Sequence, residues 1–153
     1  MEQSHKKLVS SEIDIIKNEK LGYNSSITLS SKQFNEVFYY SRDFKTLKDY
    51  KLLSIKLNIP FTGNDTTDSR SRILLYLDNE PICDGSIYNS QPWEFKPLNL
   101  EGFGFNIKKG NHNLQLKCCV DKGNLHIPHF NEGFIESTIE PKLFGNLIII
   151  GQN

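Results

Sequence analysis

Leu114-Gln115-Leu116-Lys117-Cys118-Cys119-Val120-Asp121-Lys122-Gly123-Asn124-Leu125-His126-Ile127 is the stretch on which the fold turns. Leu114, Leu116, Cys118 and Val120 alternate with Gln115, Lys117 and Cys119, the period-two pattern of a strand with one face in a core and the other in water. On that register Cys118 points inward and Cys119 outward. Asp121-Lys122-Gly123-Asn124 then supplies turn residues, with a glycine free to take positive φ, and so predicts a hairpin into Leu125-His126-Ile127.

The same pattern extends in both directions. Upstream, Glu36-Val37-Phe38-Tyr39-Tyr40 is dense in β-branched and aromatic residues, and Leu53, Ile55, Leu57 and Ile59 alternate with Ser54, Lys56 and Asn58. Pro60, which has no N–H to donate, is expected to end that ladder. Residues 62–72 are entirely polar and read as an exposed loop. Ile73-Leu74-Leu75-Tyr76-Leu77 reads as a central strand, Asp78-Asn79-Glu80-Pro81 as a turn, and Ile82-Cys83-Asp84 as the strand returning alongside. Phe103, Phe105 and Ile107 alternate with Gly102, Gly104 and Asn106, and Lys108-Lys109-Gly110-Asn111 follows as a tight turn. Two further strands are read at Phe134–Ile139 and at the fully apolar Leu147-Ile148-Ile149-Ile150. About eight or nine short strands with turns between them predict an all-β, two-sheet antiparallel sandwich of jelly-roll topology.

Residues 1–30 differ from the remainder, being polar and rich in Lys and Ser. They read as an N-terminal arm preceding a sandwich domain over 31–153. Val9, Ile13 and Ile16 share a helix face while Ile13 and Ile15 share a strand face, so the arm is allowed a short helix without periodicity deciding the matter.

Composition narrows the class of function. The chain has 153 residues, the length of one domain with a real core, and its 18 basic residues balance 18 acidic ones. Nothing in that balance draws in nucleic acid or an anionic membrane. No window approaches the roughly 20 apolar residues of a spanning helix, so no membrane insertion is expected. The three cysteines, Cys83, Cys118 and Cys119, form neither a disulfide framework nor a metal finger. With no secretory signal after Met1, the expectation is a cytoplasmic protein or part of an intracellularly assembled particle. Asn24-Ser25-Ser26 and Asn64-Asp65-Thr66 match the glycosylation acceptor pattern, which a chain this rich in Asn, Ser and Thr produces by chance.

Three stretches of the carboxy-terminal third carry a family resemblance: Lys109-Gly110-Asn111-His112-Asn113-Leu114-Gln115-Leu116, Gly123-Asn124-Leu125, and Pro141-Lys142-Leu143-Phe144-Gly145-Asn146-Leu147-Ile148-Ile149-Ile150. Together they resemble the trimeric jelly-roll heads of the tumour-necrosis-factor and C1q-like superfamily, including similar domains at the tips of viral and phage fibres. In such heads a Gly-x-His turn leads into a long strand and an apolar final strand sits near the threefold axis. The resemblance implies a homotrimer, with Leu147, Ile148, Ile149 and Ile150 at the interface and no catalytic residues to carry over. The chain shows no Gly-X-Y repeat, which points away from a complement-type molecule and toward a self-assembling, particle-borne module.

Several constellations bear on chemistry. His112, His126 and His129 supply imidazoles of the kind that bind zinc, copper or nickel, as in cupin enzymes, yet Ile127-Pro128 separates the last two where cupins use His-x-His. Asn64-Asp65-Thr66-Thr67-Asp68 offers oxygen ligands without the spacing of an EF-hand, and a solvated loop is the preferred reading. Trp93, in Ser90-Gln91-Pro92-Trp93-Glu94-Phe95-Lys96-Pro97, either stacks on a sugar or fills the space between sheets, and burial is favoured. There is no nucleophile elbow and no phosphate-binding glycine motif.

Three readings follow. The first is a non-enzymatic, self-assembling homotrimeric recognition or structural module that needs no cofactor. The second is a monomeric lectin-like module that binds glycan through Trp93, Tyr88 and the 62–72 loop, with Asn64, Asp65 and Asp68 as polar partners. The third is a cupin-like metal-dependent enzyme built on His112, His126 and His129. A glycan or a protein is the expected ligand of the first two.

Overall fold

The computed structural model describes residues 13–21, 23–30, 32, 41–130 and 145–153. The strands read at Glu36–Tyr40 and Phe134–Ile139 lie outside the described residues. Ten strands run in chain order: β1 (Ile13–Leu21), β2 (Tyr23–Leu29), β3 (Ser41–Thr46), β4 (Tyr50–Asn64), β5 (Ser69–Leu77), β6 (Glu80–Asn89), β7 (Lys96–Ile107), β8 (Gly110–Val120), β9 (Leu125–Phe130) and β10 (Gly145–Gln152). β1 and β2 fall within the segment read as an arm, where the described residues are strand.

The pairings β1·β10, β3·β8, β4·β7 and β5·β6 are those of one long antiparallel hairpin. Contacts β10·β4 and β5·β8 roll that hairpin into two sheets, β1-β10-β4-β7 and β3-β8-β5-β6. This winding is the jelly roll, in which every strand is antiparallel to its neighbours. β2 and β9 pair with each other, and β9 attaches to the far end of β4 at Gly63 and Asn64.

The core lies between the sheets and follows the sequence alternation. Leu53, Ile55, Leu57 and Ile59 of β4 face Ile73, Leu75 and Leu77 of β5 and Leu114, Leu116, Cys118 and Val120 of β8, all buried. Cys119 is half-buried on the opposite face of β8, as its register requires. The Asp78-Asn79 turn joins β5 to β6 with both residues at positive φ, +49° and +67°, the twist that suits a two-residue hairpin.

Three local expectations are corrected. Pro60 does not end β4; the pairing with β7 shifts register between Ile59 and Thr62, and the bulge removes the demand for its missing N–H. Residues 62–72 are mostly strand, so the exposed connection shrinks to 65–68. Two of the polar side chains buried there are satisfied by backbone carbonyls: Thr62 Oγ1 donates to Lys96 O (2.9 Å) and Asn64 Nδ2 to Lys122 O (3.0 Å). The Asp121–Asn124 turn exists, with Gly123 at φ +69°, but it carries the chain from β8 in one sheet to β9 in the other and closes no hairpin. It is held from outside, by Asp121 N donating to Arg70 O (3.0 Å) and Arg70 N to Asp121 Oδ1 (2.8 Å). The alternation in β7, to which the sequence assigned no direction, turns its glycines inward and its phenylalanines outward.

Candidate interaction surfaces

The large sheet presents an outer face whose composition changes along its length. Cross-strand register aligns Ile13, Gln152, Leu52 and Phe105 in one row and Ile15, Ile150, Ser54 and Phe103 in the next. Ile13 and Ile15 are 62% and 69% exposed, Phe103 and Phe105 45% and 70%. Further along come Asn18, Ile148, Lys56 and Glu101, and then Lys20, Asn146, Asn58 and Asn99, where Asn58 Nδ2 donates to Asn99 Oδ1. One half of the face therefore carries exposed apolar pairs on its two outer strands, with Gln152, Leu52, Ile150 and Ser54 between them, and the other is mostly polar with charges of both signs.

The outward phenylalanines are enforced by the core behind them. A Cβ on Gly104 would stand 2.7 Å from Leu77 Cδ2, and one on Gly102 would stand 2.8 Å from Ile82 Cδ1 and 3.1 Å from Cys83 Cβ. β7 packs too closely on β5 and β6 for any side chain at those positions. A one-residue slip that hid the phenylalanines would drive them into that space. The Gly-Phe-Gly-Phe pattern was in the sequence, but its direction is set by the packing of β7 on β5 and β6.

Of the four residues assigned to an oligomer interface, Leu147 and Ile149 are fully buried in the chain's own core. Ile148 and Ile150 are half-buried on the outer face.

A second group gathers at one end of the sandwich, where the 65–68, 90–95 and 121–124 connections meet. Asp65 is its polar hub. Its carboxylate accepts from Asn124 N (2.9 Å), Asn124 Nδ2 (2.8 Å) and Thr66 Oγ1 (3.1 Å), and lies 3.3 Å from His126 Nε2. These bonds, led by the Asn124 amide, hold its pKa down at about 2. Asn64 is buried and serves the loop: besides its bond to Lys122, its Oδ1 accepts from Thr66 N (2.9 Å).

Trp93, favoured for the core on sequence grounds, is instead 55% exposed. It sits at φ +64°, and its N–H donates to Asn64 O (2.8 Å). Its ring lies 4.8 Å from that of His126 and 6.2 Å from that of Phe95, centroid to centroid. Tyr88 belongs to a different grouping, donating to Asp68 Oδ1 (2.8 Å) with the Arg70 guanidinium 5.8 Å from its ring. That bond to an anionic acceptor raises the phenol pKa.

The three histidines are not brought together. His112 lies between Asp78 Oδ2 (2.6 Å) and Lys108 O (2.7 Å), while His126 lies between Asp65 and Thr28 Oγ1 (3.3 Å). Asp65 and Asp78 flank opposite ends of β5, a strand about 27 Å long at roughly 3.4 Å per residue. His129 pairs through its backbone with Ser25, and its side chain lies outside the described residues. Among the described residues no group of three or more His, Cys, Asp or Glu side chains is arranged to hold a metal ion.

No protein-family model matches the chain, and no curated protein does. Among solved structures it is similar to the Eiger tumour-necrosis-factor protein of S. frugiperda, at 16% identity over 88% of this chain and 91% of that one, with a TM-score of 0.42. It is similar also to a family 35 carbohydrate-binding module from an environmental isolate, at 12% identity over 94% of each chain and a TM-score of 0.40. A third is the CBM36-1 domain of a multidomain xylanase from the hindgut metagenome of Trinervitermes trinervoides, at 13% identity over 90% of this chain and 96% of that one, TM-score 0.36. By its own strand order the chain is an all-β jelly-roll sandwich.

Proposed function

We propose that this chain is a non-enzymatic, self-assembling module whose copies pack through the outer face of the large sheet, with three as the stoichiometry. The observation that carries the reading is the band of Ile13, Ile15, Phe103 and Phe105, large apolar side chains set in water on one contiguous sheet face. Scattered exposed apolar residues need no explanation, but two pairs of large ones on one outer face, with half-buried Leu52 and Ile150 between them, mark a contact.

A second copy suits this face better than a foreign partner. Its polar half carries both Lys56 and Glu101, 3.9 Å apart and each about half exposed, so the surface offers the same charges that it needs to meet. The asparagines of the last row both donate and accept hydrogen bonds, which lets like meet like. Zero formal net charge leaves no long-range repulsion between copies. Three copies is the number implied by the resemblance of the carboxy-terminal third to trimeric heads. Within that assembly Ile148 and Ile150 join the contact, while Leu147 and Ile149 stay in each protomer's core.

Light scattering coupled to size exclusion, over a dilution series, tests the reading. A mass of three times 17.6 kDa that persists on dilution supports it. A 17.6 kDa monomer at every concentration ends it.

A further inference from the structure

The loop end holds an aromatic residue whose exposure is imposed. A bulky L-residue at φ +64° is a steric outlier, and such strain survives only where surrounding contacts dictate it. Here hydrogen bonds dictate it. The 90–95 segment is closed by Asn89 Nδ2 donating to Glu94 O and by Ser90 Oγ donating to Glu94 Oε2 (3.0 Å), and Trp93 N–H is tied to Asn64 O.

The surroundings of the indole are equally fixed. His126, tilted 41° to it at 4.8 Å, is held at one ring nitrogen by Thr28 and at the other by Asp65. Phe95 rests on Gly63, where a Cβ would come within 2.5 Å of Phe95 Cδ1, and packs edge-on against Phe61 at 5.6 Å. The result is a rigid aromatic base under a ring that keeps more than half its surface in solvent.

Hydrogen-bonding side chains stand close to Trp93 in the chain. Glu94 follows it in the chain, with Lys96 Nζ 2.8 Å from Glu94 Oε1, and Gln91 is exposed two residues before it. The Lys96 and Ser90 bonds lower the pKa of the Glu94 carboxyl from its ordinary value. Carboxylate, ammonium and amide beside one exposed aromatic plane are what a pyranose needs, because its C–H face lies flat on the indole while its hydroxyls bond at the edge. Two carboxylates, Asp65 and Glu94, flank the platform and disfavour an anionic ligand.

We infer that Trp93, on its His126–Phe95 base, is the platform of a binding site for a neutral pyranose, with Glu94, Lys96 and Gln91 as partners for its hydroxyls. The site is independent of the large-sheet face and does not need assembly. It leaves out Tyr88, which is engaged with Asp68, and Asn64, which is buried and shapes the loop.

Trp93 is the chain's one tryptophan, so its fluorescence reports on this site alone. The protein is titrated with glucose, galactose, mannose, xylose, N-acetylglucosamine and their disaccharides, at a protein concentration where its mass is constant, and again as the Phe105→Thr variant. At least one neutral sugar is expected to give a saturable emission shift with a millimolar Kd, the range of a single-ring ligand. Trp93→Gly, which relieves the strained φ and so keeps the melting temperature, should abolish the saturation-transfer NMR signal of that sugar. Glu94→Gln should weaken binding several-fold. Three outcomes overturn the inference: no neutral sugar shifts the emission at tenfold that concentration, Trp93→Gly binds undiminished, or the emission changes only with protein concentration. The last would mean that another copy covers the indole.

Discussion

Phe105→Thr separates assembly from folding. Phe105 is 70% exposed in the protomer, and a phenylalanine offers about 200 Å² in full, so roughly 140 Å² of its surface is in water. Covering that area in an interface contributes about 3.5 kcal/mol at ~25 cal/mol per Å². Threonine recovers a small part of it, leaving a loss near 3 kcal/mol per protomer, or about a hundredfold for each protomer that enters the assembly. The protomer itself should hardly notice: the position faces solvent, threonine suits a strand, and surface changes of this kind stay within about 0.5 kcal/mol. Sedimentation velocity and a thermal melt on the same sample decide the point. The expected result is a shift from assembly to monomer at micromolar concentration, with the monomer's far-ultraviolet spectrum intact. An assembly that survives unchanged would refute the argument that this face is the contact, and a variant that fails to fold would refute the placement of Phe105 on the outside.

Other positions respond in different ways. Ile149→Ala, one residue from the outward Ile150, should cost about 2–5 kcal/mol of folding stability by leaving a cavity in the core, read as a lower denaturant midpoint. Gly104→Ala forces a methyl against Leu77 and should destabilise by about 1–3 kcal/mol, measured the same way. Asp65 makes stability depend on pH. Its folded pKa of about 2 lies below the ordinary 3.8, so its contribution is complete above pH 3.8 and is lost as pH falls toward 2. With its side chain 22% exposed, at most about 2 kcal/mol is at stake, and Asp65→Asn should remove both that stability and its pH dependence in melts taken between pH 5 and pH 2.

The sandwich was legible because its inward residues obey period two. Leu53 to Ile59, Ile73 to Leu77 and Leu114 to Val120 announce three inner strands without ambiguity. What could not be read is what each strand does at its ends. Residues 62–64 and 69–72 are polar and look like loop, but Thr62 and Asn64 find carbonyls of Lys96 and Lys122, far away in sequence, and 69–72 pair as strand with β6 and β8. The Asp121–Asn124 turn carries hairpin chemistry, yet its partners are Arg70 and Asp65, which only the fold supplies. β1 was ambiguous because its polar residues alternate with isoleucines that face water.

The candidate surfaces were less legible still. Trp93 was singled out, but its exposure depends on a backbone conformation that nothing local predicts. The two phenylalanines of β7 went unassigned to a face, since their direction is set by how closely β7 packs on Leu77 and Ile82. His112 and His126 suggested a metal until the length of β5 separated them.

Hydroxyl-radical footprinting at rising protein concentration tests the central claim most directly, because it reads side-chain exposure residue by residue. Oxidation of Phe103 and Phe105 should fall as the mass approaches three protomers, while Trp93, at the loop end, stays reactive throughout and serves as the reference. If both phenylalanines are oxidised at the same rate in the assembled and the dilute protein, the outer face of the large sheet is not where copies meet.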